Sequence, residues 1–114
     1  MVTTASAKQK GARLQRWVRD LILKLLPKLE PDDCRSTSMG ASGEDVQLSP
    51  AARKLLPVSI ECKSYRKIAV YRWYKQAVDN CPKGSEPVLV IKEDRQKPLV
   101  VVDAEHYFEL RTKK

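Results

Sequence analysis

A chain of 114 residues with 42% hydrophobic residues is long enough for one domain with one core, and it does not read as a disordered tail. Lys and Arg number 22 against 14 Asp and Glu, a formal net charge of +8, which points to a polyanionic partner, with nucleic acid ahead of a membrane surface. No apolar run approaches the roughly 20 residues that span a bilayer, and the first residues lack a signal peptide's apolar core, so no membrane role and a cytoplasmic location are expected.

The first predicted element is a helix from about Lys8 to Leu26. Leu14, Trp17, Val18, Leu21, Ile22, Leu25 and Leu26 recur at spacings of three and four, the signature of one buried face. Lys10, Arg13, Arg16, Arg19 and Lys24 lie opposite, and Pro27 and Pro31 close the helix. Residues 33–38 suit a short strand, 40–43 (Gly-Ala-Ser-Gly) a turn, and 45–48 a second short strand. Ser49-Pro50 reads as an N-cap followed by proline at the first helical position of one short turn.

In residues 58–63, Val58, Ile60 and Cys62 alternate with Ser59, Glu61 and Lys63, as in a strand. A second helix is predicted over 69–81, with Val70, Trp73, Tyr74, Ala77, Val78 and Cys81 on one face and Pro82 and Gly84 beyond its end. The apolar runs 88–91 and 99–102 are strand-length and joined by the polar residues 93–97, a hairpin. Asp103 can cap a last helix reaching about Leu110. Helix, three strands, helix, two strands and helix make an α/β domain with a central mixed sheet flanked by helices.

Alternation puts Glu61 and Lys63 on one face of their strand, and Asp45 on a neighbouring strand can bring a second carboxylate beside them. Two carboxylates and a backbone carbonyl, that of Cys62, suit Mg²⁺, or Mn²⁺, which keeps several waters. A lysine alongside can orient a bound water and offset charge on a phosphate under attack. An E-x-K triplet alone more often marks a solvated strand face; here it follows an apolar strand start, with an acidic residue sixteen positions earlier after a glycine-rich turn. The three cysteines, Cys34, Cys62 and Cys81, contain no CxxC pair, and His106 is the single histidine, which excludes multi-histidine metal centres and disfavours a cysteine nucleophile.

These residues resemble the PD-(D/E)xK nuclease superfamily, and within it the archaeal-type Holliday-junction resolvases and related small nucleases of phages. Lys10-Gly11-Ala12-Arg13-Leu14-Gln15 is similar to the opening of their first helix. Arg35-Ser36 and Gly40-Ala41-Ser42-Gly43 resemble their Arg-Ser and glycine-serine loop, Asp45 takes the motif aspartate's place, and Ile60-Glu61-Cys62-Lys63-Ser64 matches their third strand. The likeness covers about residues 8–93. It implies a restriction-endonuclease-like αβββαβ core; a single domain over 1–114 is expected, with about 1–7 and 112–114 as flexible tails. It also implies a site of Asp45, Glu61 and Lys63 assisted by Gln15 and Gln76, with metal held by Asp45, Glu61 and the Cys62 carbonyl. Two positions depart from the pattern. Glu44 replaces the proline of the "PD" pair and rivals Asp45 as ligand; only one of the two can face Glu61, and Asp45 is favoured. Gln15 stands where resolvases usually carry glutamate, an amide in place of a charge.

Lys10, Arg13, Arg35, Ser36 and Ser38 are candidate DNA contacts, supplying positive charge and hydroxyl donors. The function expected is a Mg²⁺-dependent DNA endonuclease, with resolution of branched DNA by a homodimer as its most specific form, located in the host cytoplasm if phage-encoded. The alternative is a non-catalytic nucleic-acid-binding protein on a nuclease fold.

Overall fold

The computed structural model of the protein describes residues 4–37, 43–65 and 69–112. In chain order the elements are α1 (Thr4–Leu25), a 3-10 turn (Pro31–Asp33), β1 (Cys34–Ser36), β2 (Val46–Leu48), α2 (Pro50–Leu55), β3 (Val58–Tyr65), α3 (Val70–Asp79), β4 (Glu86–Glu93), β5 (Leu99–Val101) and α4 (Ala104–Thr112). The five strands form one sheet in the order β1-β2-β3-β4-β5. Only β3 and β4 run parallel, joined by the α3 crossover; the other neighbours are antiparallel. The α/β class, the mixed sheet and the αβββαβ order all match expectation. Serine 38 and most of the glycine-serine turn (40–42) lie outside the described residues, while Gly43 has φ +91°, a conformation natural to glycine.

Helix α1 begins at Thr4, so residues 4–7, expected in a tail, are helical; they carry no apolar periodicity, but alanine is the strongest helix former. Its buried face is narrower than the apolar stripe. Leu14, Val18 and Ile22, each four residues apart, enter the core, whereas Trp17, Leu21 and Leu25 stay exposed. Three of the five strands have only three residues, so the sheet covers one ridge of the helix and leaves the next uncovered. Cys34, Val46, Leu48, Ile60, Cys62 and Val90 complete the core from the sheet side.

The largest departure concerns β3. Simple alternation puts its polar face in solvent, yet Ser59 and Glu61 are each only 3% exposed. The parallel β3–β4 pair requires a crossover, and the crossover helix α3 covers that face, with Trp73 and Ala77 buried and the Trp73 ring 5.0 Å from that of Tyr65. Pairing with all eight residues of β3 also draws β4 out to Glu86–Glu93, beyond the apolar run 88–91. At the sheet's edge the apolar 99–102 run leaves Leu99 and Val100 exposed on β5.

The caps form as their residues dictate. Ser49 Oγ accepts the Ala52 amide at 3.1 Å and donates to Asp33 Oδ1 at 2.7 Å, tying α2 to the 3-10 turn. Asp103 Oδ1 accepts the His106 amide at 3.0 Å at the start of α4, which has no buried residue. All three cysteines are free thiols, and no helix among the described residues is long and apolar enough to cross a membrane.

Candidate active site

Asp45 stands at the start of β2, where it is held on both sides. Its carbonyl accepts the Thr37 amide (3.0 Å) and hydroxyl (3.1 Å), and its amide donates to the Ile60 carbonyl at 3.0 Å. Its side chain continues that attachment, with Oδ2 accepting the Cys62 amide at 2.9 Å. The antiparallel pairing of Val46 with Ile60 brings the preceding residue, Asp45, opposite Glu61, close enough for the Asp45 charge to act on the Glu61 carboxyl.

Glu61 is pushed up to about 7 from an ordinary 4.5. Burial is the largest cause and the Asp45 charge the next; Lys63 and a hydrogen bond from Asn80 act the other way. Lys63 Nζ lies 3.5 Å from Glu61 Oε2, with the lysine side chain 17% exposed and that of Glu61 only 4%. One ammonium therefore stands beside two adjacent carboxyl groups, of which Glu61 is buried and Asp45 half-buried. That imbalance is what a divalent cation would relieve. Two carboxylates suit Mg²⁺ or Mn²⁺, which complete their shells with water and need no all-protein cage. Among the described residues, no group of three His, Cys, Asp or Glu side chains is placed to hold a metal ion.

The rivalry between Glu44 and Asp45 has a geometric outcome. Glu44 Oε2 is paired with the Arg53 guanidinium at 2.6 Å, and Arg53 also donates to the Val58 carbonyl (2.9 Å) and Ser85 Oγ (3.1 Å). Glu44 is thus turned toward α2 and the starts of β3 and β4, while its neighbour turns toward Glu61.

Asp45, Glu61 and Lys63 come together; the other candidates are dispersed. Gln15 is buried on α1, the helix covering the Cys62 face of β3, whereas Glu61 lies under α3 on the opposite face. Gln76 is exposed on α3, and Asn80, one turn later, is the amide at Glu61. Sequence reasoning missed Asn80; its signal is the i+4 spacing from Gln76 on the same helical face, just before the Pro82 stop. Arg53, on the short helix α2, carries no such signal in the sequence. Cys62 is buried with its thiol pushed up, first by burial and then by the Asp45 and Glu61 charges, which keeps it protonated and inert. Arg35 is exposed on edge strand β1 and paired with Asp32 at 2.9 Å, with Ser36 beside it. Lys10 and Arg13 line a groove at the opposite side of the sheet.

A mixed sheet with helices on both faces, and an acidic pair with a lysine on its central strands, defines a restriction-endonuclease-like core. The chain matches the family described as "Phage putative PDDEXK endonuclease" over residues 6–114, and it belongs to that family. No curated protein matches the chain, and no solved structure does.

Proposed function

We propose that the protein is a metal-dependent DNA endonuclease that hydrolyses phosphodiester bonds at Asp45, Glu61 and Lys63. The observation that carries this reading is the buried Glu61 carboxyl set beside the half-buried Asp45, with Lys63 at 3.5 Å. A structural role alone gives no reason to press a buried carboxyl against a second one.

Asp45 and Glu61, with the Cys62 carbonyl, are the groups to hold Mg²⁺ or Mn²⁺. When bound, such an ion supplies positive charge to a phosphate oxygen and makes a coordinated water more acidic. The chain's own groups do the rest. The Cys62 amide fixes the Asp45 carboxylate, and Asn80 fixes that of Glu61. The Lys63 ammonium orients a water at the carboxylates and offsets negative charge as the water oxygen attacks phosphorus. The attacking water gives up a proton to solvent, the bond to the leaving oxygen breaks, and that oxygen takes a proton from solvent. Gln15 and Gln76, which stand apart from the trio, take no part in these steps.

Branched DNA is the most specific substrate on this reading, and paired symmetric cuts require a two-fold homodimer. Support for a dimer comes from the exposed Leu99 and Val100, which border an apolar cleft of about 310 Å³ with Leu21 and Val88. The test incubates labelled four-way junction, duplex and single-stranded DNA with Mg²⁺, Mn²⁺ or EDTA, beside Lys63→Ala. Metal-dependent cleavage lost in the variant is expected. Equal cleavage by the variant would sink the proposed site, and absence of cleavage on every substrate would leave a non-catalytic DNA-binding protein.

A further inference from the structure

A groove of about 470 Å³ lies between the first half of α1 and the β4–β5 turn, and its chemistry is not that of the acidic site. Its charged rim carries Lys10, Arg13, Lys92 and Arg95. Its wall includes Leu14, Pro98 and Trp17, the last 47% exposed. Ser64 also lines it, and Ser64 follows Lys63 directly on β3 and pairs with Lys92 on β4. The groove therefore opens on the opposite face of the strand from Lys63, at the same end of the sheet.

We propose that this groove binds a single-stranded stretch of substrate DNA next to the cut, with Trp17 stacked on a base and the four cations along the phosphates. The nuclease reading enters only in naming DNA as the ligand and the cut as its neighbour. Phosphate contacts to a continuous duplex call for cations and hydrogen-bond donors. An exposed aromatic ring set among cations serves an unstacked base, which a duplex does not present. The volume agrees, falling in the ~300–1,000 Å³ range of pockets for single small ligands.

Two features of the β4–β5 turn point to an anion. Asp94 places both carboxylate oxygens on Lys10 Nζ, at 2.8 and 3.0 Å, in the arrangement that two phosphate oxygens would take. Arg95 sits at the third position of a turn closed by Gln96 N–H donating to the Glu93 carbonyl at 3.0 Å, with φ +66°. A positive φ at that position favours glycine. An arginine held there against backbone preference is explained by what its side chain does in the groove.

The experiment measures binding in EDTA by fluorescence anisotropy, using an oligodeoxythymidylate, a blunt duplex and a duplex with a single-stranded overhang. The first and third bind more tightly than the blunt duplex. Trp17→Ala weakens them by roughly 5- to 100-fold, the range of one base–aromatic stack, and Trp17→Phe restores most of the loss. Asp94→Asn, which removes the competing carboxylate from Lys10, tightens binding, a gain that misfolding cannot produce. Wild-type affinity for the overhang in Trp17→Ala, or unchanged affinity in Asp94→Asn, would overturn the groove. Groove-dependent binding without cleavage in Mg²⁺ or Mn²⁺ would overturn the nuclease reading and leave the groove standing; metal-dependent cleavage of overhang DNA indifferent to both variants would do the reverse.

Discussion

Glu61→Gln tests the central electrostatic claim, because it should stabilise the metal-free protein while abolishing cleavage. Glutamine has the shape of glutamate and can accept from Asn80 and donate to Asp45, so the contacts survive while the buried charge goes. Raising Glu61 from 4.5 to about 7 means that the native state holds this proton more tightly than the unfolded chain does. The contribution to stability is complete below 4.5 and is lost as pH rises through about 7. At pH 8 the wild type carries the full penalty of ionising the buried carboxyl, on the order of 3 kcal/mol. Thermal melting in EDTA reads it directly. The variant should match the wild type near pH 4 and melt roughly 10 °C higher at pH 8. Mg²⁺ should raise the wild-type melting temperature at pH 8 by binding the native state, and do little for the variant. A melting difference that does not change with pH, or a variant less stable than the wild type at pH 8, would refute the claim that Glu61 is strained by burial against Asp45.

Arg53→Ala should cost about 3 kcal/mol in urea denaturation, since it strands the largely buried Glu44 carboxylate and frees the Val58 carbonyl and Ser85. Arg95→Gly should raise stability by about 1 kcal/mol by removing the left-handed strain, while weakening binding of overhang DNA in the anisotropy assay. Ser49→Ala should lose about 1 kcal/mol of unfolding free energy by chemical denaturation, as both the α2 cap and the link to Asp33 disappear.

Periodicity and turn chemistry made most elements legible. The β3 alternation, the Ser49-Pro50 cap, the Asp103 cap and the stop after α3 all reflect local preferences that the tertiary structure leaves in place. The proximity of Asp45, Glu61 and Lys63 was legible for the same reason: Glu61 and Lys63 share a face by strand geometry alone, and β2 needed only the right register to bring up Asp45. What could not be read depends on long-range packing. Burial of Glu61 follows from α3 crossing the polar face of β3, a consequence of parallel pairing with β4 rather than of any local pattern. Exposure of Trp17 and Leu21 follows from the shortness of three strands, which composition does not reveal. Asn80 and Arg53 act through partners 19 and 9 positions away, Glu61 and Glu44, and no local preference marks such pairs.

Lys63 and Ser64 are adjacent on one hydrogen-bonded strand, yet one faces the acidic pair and the other the groove. Their separation is set by one trans peptide unit, about 3.8 Å between α-carbons. No hinge or loop intervenes to vary it. On the proposed binding mode the strand acts as a ruler: a gripped nucleotide fixes where the backbone is severed. Product ends should then fall at a constant offset from the boundary between paired and unpaired DNA, whatever the base sequence there.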